Sequence, residues 1–460
     1  MRDIYKSARK TVIWLGRKSD DSGLALRFIT FVGQDRNRKE IKNWTGFSRE
    51  FEAVRHLCQR VYWSRLWIVQ EVIVSGKAII QCGLDYTKWR EFSSFQDVCE
   101  CGYLESEVKG GHGDLLATVA FNLDRYREID GRSGPTSLQV LLKSFSSSQC
   151  KEIKDKIYAL AGVANDGKDL VAGIDYRKSV FEIFSDVIMI QKYHDCGLLI
   201  HFSQFLQRLL QGHVAKSVPK FAYQSTELVG ALGYAEQRIS ALGPFYPTDS
   251  AAQTIRQIAL GFDKASITVS GDFKRHIKKL LAPHMKSHIL RRVIPIHSFV
   301  SHGLSGGEEF SDYKNGLAGL ETVDGLAPMR KSEWPWGQLE EPLHLTETEI
   351  TTQTEQEYNN ARPRFFLDGD GYVGVAPSNI RRSDIICGFV DSDVVAILRF
   401  RKDRYFLVGS AVYPRRRGEG KVRLFKGSKD FFQFSVAGSW NTGDTVSLYL
   451  NTYSLQLLTH

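Results

Sequence analysis

The residue best suited to chemistry in this sequence is Glu71, which lies near the end of a run of aromatic and aliphatic side chains. Trp67 stands four residues earlier, so a helix through this stretch places the indole and the carboxylate on one face. A carboxylate beside a large ring and aliphatic groups is costly unless it is paired, hydrogen-bonded or solvated. Such a group can stabilise a positive charge that develops in a substrate. The alternative is structural: Glu71 pairs with an arginine or caps a neighbouring loop.

Two helices are predicted to position this carboxylate. Apolar residues recur at helical spacing over residues 51–62, which indicates a helix with one face in a core. Ser64 is suited to cap a second helix, because its hydroxyl can accept from the free amides of the first turn. This second helix carries Trp67, which we expect to be largely buried, and it ends at Gly76.

Two strands are predicted around these helices. Residues 11–15 form a continuous apolar run that is typical of a strand buried on both faces, and residues 77–82 form a second run. The helices between them are long enough for a crossover, so we expect the strands to be parallel. Two strands do not make a stable parallel sheet, which predicts an incomplete α/β layer.

The stretch from Tyr62 to Val72 resembles the signature block of the fungal heterokaryon-incompatibility (HET) domain, where an aromatic pair, an arginine, a tryptophan and Gln-Glu recur in this order. A second block, from Asp155 to Gly162, is similar to the Asp-Lys-Val-Tyr-Ala-Leu-Leu-Gly of that family. Its residue types indicate a short helix capped by the Asp155 carboxylate, with a structural role. The positions that match the family's signature are Tyr62, Trp63, Arg65, Trp67, Gln70, Glu71, Asp155, Tyr158 and Gly162.

This resemblance implies a domain like those of Toll/interleukin receptors (TIR-like) and a role in fungal non-self recognition and programmed cell death. The role is expected to depend on other proteins or on self-association. Ser64, Trp67 and Glu71 are also similar to a TIR motif whose glutamate serves NAD cleavage, so NAD is a possible substrate and no cofactor is implied. Two earlier family blocks, Ser-Tyr-x-Trp-Gly and Trp-Ile-Asp, have no counterpart in this sequence. We therefore expect the front of the domain to be missing, which leaves either an inactive enzyme or a non-catalytic scaffold.

Four regions follow from composition and periodicity. We expect a partial HET domain of α/β class over residues 1–130, followed by a helical region over 131–300. A polar connector over 301–361 is rich in Gly, Ser, Thr, Glu and Gln. From 362 to 460 the apolar period falls to two between turn residues, which predicts a small, separate antiparallel β domain. Its sequence at 371–377 also resembles the C-terminal regions of long HET proteins.

Composition limits the class of protein. Apolar residues make up 42% of the 460 residues and charged residues 25%, which is typical of a globular protein. The sequence contains no apolar run long enough to span a membrane and begins with no secretory leader, and its seven cysteines are scattered, so we expect a cytoplasmic protein. The net charge of +9 is spread over small clusters such as 415–417, which makes a nucleic-acid partner unlikely.

Two further motifs have the residue types of metal sites but the wrong spacing. Cys99, Cys101 and His112 are spaced as Cys-x-Cys with no second pair, so we predict no metal there. Residues 368–371, Asp-Gly-Asp-Gly, are similar to the start of a calcium loop, but Asn379 replaces the glutamate that such a loop needs at its twelfth position. A hairpin turn is predicted instead.

Overall fold

The computed structural model describes residues 2–34, 47–100, 115, 117–127, 136–191, 198–220, 222, 229–247, 255–264, 267–300, 303–304, 362–389, 392–401, 404–413 and 445–460. These residues form two compact units, Met1–Lys178 and Ser179–His460. Within the described part of the chain, no helix is long and apolar enough to cross a membrane. The predicted connector 301–361 lies outside the described residues apart from Gly303–Leu304.

The first unit is a layer of helices against a small sheet. Its strands are β1 (Thr11–Trp14), β2 (Ala78–Cys82) and β3 (Asp85–Lys88). Its helices are α1 (Arg2–Ser7), α2 (Ser22–Gly33), α3 (Ser48–Cys58), a 3₁₀ helix (Val61–Ser64), α4 (Ile68–Ile73), α5 (Trp89–Glu100), α6 (Val119–Tyr126), α7 (Leu138–Ser144), α8 (Asp155–Ala161) and α9 (Lys168–Ala172).

The sheet order is β1-β2-β3, with β1 parallel to β2 as predicted and β3 antiparallel. The third strand was not expected, because its sequence, Asp-Tyr-Thr-Lys, contains little apolar surface. Ile13 and Ile80 are paired in the register and fully buried on the inner face. Phe28 of α2 and Phe95 of α5 extend this core through an edge-to-face contact.

The second unit combines helices with a large antiparallel sheet. Its helices are α10 (Val180–Gln191), α11 (Leu199–Leu209), α12 (His213–Lys216), α13 (Ile255–Leu260), α14 (Gly271–Leu281), α15 (Pro283–Arg292) and α16 (Thr452–Thr459). Its strands are β4 (Val229–Phe245), β5 (Pro295–Val300), β6 (Gly303–Leu304), β7 (Arg364–Asp368), β8 (Val373–Ala376), β9 (Ile385–Gly388), β10 (Val395–Arg401), β11 (Arg404–Ala411) and β12 (Thr445–Leu450).

Strand β4 corrects the predicted helical region. We expected residues 131–300 to be helical, but β4 pairs with β12, β9 and β7, and β5 pairs with β11. We had predicted a separate β domain after residue 362. Its strands instead share one sheet with β4 and β5. The reason is long-range pairing, since β4 is interrupted by small residues and shows no clear alternation. Gly233, for example, lies so close to Cys387 and Phe389 that a Cβ would collide with them.

The strands predicted from the period of two after residue 362 are confirmed at β7 to β12, whereas residues 452–459 form the helix α16, and residues 414–444 lie outside the described residues. Strand β7 separates two buried clusters. Phe365 packs with Tyr246 and Phe273, whereas Phe366 faces a second cluster that includes Ile386.

Candidate functional site

The first signature block does not fold as one helix. Ser64 lies in the 3₁₀ helix, where its hydroxyl donates to the Val61 carbonyl at 2.8 Å, so the predicted Ser64 cap is wrong. The Leu66 amide donates to the Gln149 carbonyl at 2.8 Å, and the Gln149 amide donates to the Ser64 carbonyl at 2.5 Å. These bonds hold Arg65, whose backbone is extended, beside Gln149, and α4 begins only after Trp67.

Trp63 is the buried anchor of the block. Its side chain is 2% exposed, and its indole N–H donates to the Leu57 carbonyl at 2.9 Å. Its ring makes edge contacts with Tyr62 and Trp89. With its only polar group satisfied, Trp63 has a structural role.

Trp67 and Asp155 join the two signature blocks. The Trp67 indole N–H donates to Asp155 Oδ2 at 3.1 Å, and the Tyr176 hydroxyl donates to Asp155 Oδ1 at 2.6 Å. Asp155 is only 7% exposed, and both of its oxygens accept a hydrogen bond. Burial, followed by the bond to Asp155, raises the pKa of the Tyr176 hydroxyl.

These bonds bear on two predictions. Trp67 is buried over most of its surface, as expected, but it is less enclosed than Trp63, and its N–H end bonds to Asp155. The Asp155 carboxylate does not cap its own helix, since the cap position of α8 is Lys154 and makes no side-chain cap bond. A carboxylate engaged by an indole and a phenol from other elements is not directed at the amides of its own first turn.

Gln70 and Gly162 form the closest approach between the blocks. The buried Gln70 side chain donates through Nε2 to the Ala159 carbonyl of α8 at 2.8 Å. The same amide group lies against the Cα of Gly162, where a Cβ would collide with Nε2. A side chain at position 162 would therefore have to displace the end of the Gln70 side chain.

Tyr158 completes the arrangement. Its hydroxyl donates to the Asp175 carbonyl at 3.1 Å, and its ring contacts the Tyr176 ring edge-on at a centroid distance of 5.3 Å. We call the set Trp67, Gln70, Asp155, Tyr158 and Gly162 the signature joint. It fixes α4 against α8, and the predicted structural role of the second block agrees with these contacts.

Glu71 lies at the margin of the joint and is partly exposed. The Tyr62 hydroxyl donates to Glu71 Oε2 at 3.1 Å, and the Tyr5 hydroxyl lies near the same carboxylate. Burial, and after it the Glu71 charge, raises the pKa of both phenols. Glu71 makes no salt bridge within the described residues, so the predicted arginine pairing is not seen there. The Arg65 guanidinium lies instead over the Tyr62 ring, 5.8 Å from its centroid.

Tyr5 and Tyr176 are contributors whose roles the sequence did not indicate. Tyr5 comes from α1 and Tyr176 from the segment after α9, and both supply a phenol to a signature carboxylate. Their only sequence signal was membership of short stretches that also resemble the family, Met-x-x-Ile-Tyr and Asp-Tyr-x-x-Ser-Val.

The other predicted motifs do not join this site. Cys99 is buried in α5, which raises the pKa of its thiol, whereas Cys101 and His112 lie outside the described residues. The predicted hairpin turn at 368–371 is confirmed between β7 and β8. Asp368 Oδ1 accepts from the amides of Asp370 and Tyr372 at 2.9 and 2.7 Å. The basic cluster 415–417 lies outside the described residues.

The first unit is thus an α/β structure in which two distant sequence blocks form one polar joint. Residues 1–71 match the family model described as heterokaryon incompatibility protein (HET). The N-terminal part of this chain is therefore HET-domain sequence, as the resemblance indicated. The predicted loss of the front of the domain stays a prediction.

A relative supports the same assignment. The chain is 26% identical to heterokaryon incompatibility protein 6, OR allele, of Neurospora crassa, in a match covering 39% of this chain and 33% of the relative. The matched region thus spans about a third of that protein's length. No solved structure matches this chain.

Proposed function

We propose that this protein acts in fungal heterokaryon incompatibility, as a component of non-self recognition that leads to programmed cell death. The HET-domain match and the relative from Neurospora crassa support this class of function. The observation that carries the proposal is the signature joint, in which Trp67 and Gln70 from one block bond Asp155 and Ala159 of the other. The family signature thus lies in one structural unit of this chain.

The mechanism we propose is contact with other proteins or self-association, rather than catalysis. The polar groups of the joint are engaged internally: both Asp155 oxygens, the Gln70 amide nitrogen and the Tyr158 hydroxyl have partners. Such groups set the relative position of α4 and α8 and are not available to a substrate. A rigid unit of this kind is suited to presenting a surface.

Inducible expression in Neurospora crassa tests the proposal. We expect induction to cause loss of viability, measured by vital-dye uptake, relative to a strain carrying a frameshifted copy. Normal growth at readily detectable protein levels would contradict the proposed function.

A second candidate is NAD cleavage in a TIR-like domain, and the position of Glu71 favours it. Its carboxylate is partly exposed, is oriented by the Tyr62 hydroxyl and lies near the Tyr5 hydroxyl, without a salt bridge in the described residues. A carboxylate held in this way could stabilise positive charge on a ribose. NAD would be the substrate, with no cofactor. The TIR-like architecture and this activity are both proposals.

Glu71→Gln separates the two candidates, because glutamine keeps the size and hydrogen-bonding reach but removes the charge. Incubating the purified protein with NAD, followed by chromatography, measures cleavage directly. We expect no loss of NAD, and we expect induced cell death to persist in Glu71→Gln. NAD loss by the wild type that disappears in Glu71→Gln, together with loss of cell death, would favour the enzyme.

A further inference from the structure

The outer face of the first unit's sheet carries exposed apolar and aromatic side chains. The register places Val12, Ile79 and Lys88 in one row across the three strands, and Trp14, Gln81 and Tyr86 in the next. Val12 is 46% exposed, Trp14 57% and Tyr86 60%. In a sheet that buries Ile13 and Ile80 on its other face, such a concentration of exposed aromatic and aliphatic groups indicates an interaction surface.

The outer edge of β1 also has free hydrogen-bonding capacity. The amides of Thr11 and Leu15 donate to the carbonyls of Lys77 and Gln81 in or next to β2, at 2.8 Å each. Ladder bonds alternate along a strand, so the backbone groups of Val12 and Trp14 point away from β2. Among the residues that the structure describes, no strand pairs with this side of β1. An open edge of this kind is a template for another strand.

Basic residues border the same surface. Lys10 and Lys77 directly precede β1 and β2, and Lys88 ends β3 in the Val12 row; all three are exposed. Lys88 has only a loose contact, 3.8 Å from Nζ to Glu91 Oε1. The apolar face is thus bounded by positive charge at one end of the sheet.

We propose that β1 binds an extended acidic segment of a partner protein by strand addition. Backbone groups of Val12 and Trp14 would pair with the segment, and its alternate apolar side chains would pack beside Trp14. Carboxylates in the segment would complement Lys10 next to β1 and Lys77 next to the neighbouring strand. This contact would be the protein–protein contact of the proposed function. Its biological role rests on that proposed function, whereas the binding itself can be measured independently.

Charge argues against a second copy of this chain as the occupant. An antiparallel pairing that sets Val12 of one copy opposite Trp14 of the other would bring Arg9 of one copy opposite Arg17 of the other. Both residues are exposed and carry the same charge, so the pairing is opposed.

The test is a binding assay with purified full-length protein, so it can fail independently of the cell-death result. The probe is a fluorescein-labelled eight-residue peptide, Glu-Thr-Glu-Thr-Val-Thr-Val-Thr, in which the glutamates and valines share one face of the strand; binding is followed by anisotropy. A peptide with lysine in place of glutamate is the charge control. We expect saturable binding of the acidic peptide, at least tenfold tighter than that of the lysine peptide.

Two variants test the contact. Val12→Pro removes one outward amide and leaves the β1–β2 bonds, since proline is tolerated on an edge strand where its nitrogen faces outwards. Lys10→Glu combined with Lys77→Glu reverses the border charge, and Lys151→Glu with Lys168→Glu is a control of equal charge change on exposed sites elsewhere. We expect each test variant to weaken binding at least tenfold and the control to bind like wild type, with unchanged thermal midpoints.

Three results would overturn the proposal. The first is no binding of the acidic peptide, or equal binding by all variants. The second is concentration-dependent dimerisation in sedimentation that Val12→Pro abolishes, which would identify a second copy as the occupant. The third is tighter binding of a 15-nucleotide thymidine strand, lost in Trp14→Ala, which would identify the face as a nucleic-acid surface.

Discussion

At the scale of single residues, the two tryptophans of the signature block have different roles. Trp63 is enclosed and donates to a backbone carbonyl within its own segment, whereas Trp67 is partly exposed and reaches Asp155 from a distant block. Both residues fit the family signature equally well. Their difference depends on tertiary contacts that sequence spacing cannot indicate.

Truncating the two rings should therefore have unequal effects. Trp63→Ala removes a core aromatic and should lower the free energy of unfolding by about 3–5 kcal/mol. Trp67→Ala loses a hydrogen bond to a buried carboxylate and part of a ring's packing, so about 1–3 kcal/mol is expected. Urea unfolding followed by circular dichroism measures both. Equal losses in the two variants would show that Trp67 is as much a core residue as Trp63.

The residues that bond the carboxylates show where sequence reasoning ended. Glu71 and Asp155 were identified as signature positions, but Tyr176, which donates to Asp155, and Tyr5, which lies near Glu71, come from separate segments. Partners of this kind are chosen by the fold, because many tyrosines in the chain have the same chemistry. The expectation that Asp155 caps its own helix followed local rules and was wrong for this reason.

At the scale of elements, the contact of α4 with α8 depends on Gly162. Gly162→Ala should displace the Gln70 amide and weaken its bond to Ala159, which costs about 1–3 kcal/mol. In a Gln70→Ala background the same substitution should cost less than half as much, because the colliding group is absent. Such coupling is expected only for residues in contact.

A double-mutant cycle measured by urea unfolding checks this expectation. Gly76→Ala is the matched control, since a Cβ there would meet nothing within 4 Å, and it should be close to neutral. Additive effects of Gly162→Ala and Gln70→Ala would mean that the two residues do not restrain each other.

The turn between β7 and β8 contains a titrating group. Burial raises the pKa of Asp368 to about 6, and the Tyr413 hydroxyl donates to its second oxygen. A carboxyl whose pKa is higher in the folded than in the unfolded chain binds its proton more tightly when folded. Its contribution to stability therefore falls as pH rises from about 4 to about 6.

Asp368→Asn should remove this pH-dependent contribution to the free energy of unfolding. Relative to wild type, the variant should gain on the order of 2–3 kcal/mol of unfolding free energy between pH 4 and pH 7. The measurement is the difference between the two stability curves over this range, because other groups titrate in both proteins alike. A difference that does not change with pH would show that Asp368 has an ordinary pKa in the folded protein.

The strands illustrate which elements a sequence can predict. The runs at 11–15 and 77–82 are continuous and apolar, so both strands and their parallel pairing followed from local pattern. Strand β4 contains glycines and small residues, and its pairing strands β7, β9 and β12 lie more than 100 residues further along the chain. Its conformation is fixed by those pairings and not by its own periodicity.

At the scale of the whole molecule, the charge of +9 is expected to give only non-specific attraction to nucleic acid. Binding to duplex DNA should be weak at low salt and lost at physiological ionic strength, because few phosphates are neutralised at any one site. Anisotropy of a labelled duplex over a salt series measures this. A tight complex at physiological salt would contradict the account of the charge as diffuse.

The two compact units were not evident from composition. The first extends to Lys178, so it includes the second signature block and Tyr176 along with the first block. Both carboxylates and all their partners thus belong to one unit. The central claim is that the incompatibility-type function depends on the signature joint within it.

The most direct test is vital-dye uptake after induced expression of Gly162→Ala and Gly76→Ala in Neurospora crassa, at matched protein levels. Both substitutions add one methyl group to a glycine of the first unit, but only the first disturbs the joint. The account predicts that Gly76→Ala kills cells like wild type and that Gly162→Ala does not. Cell death by Gly162→Ala equal to wild type, in protein whose lowered thermal midpoint shows that the joint is altered, would contradict it.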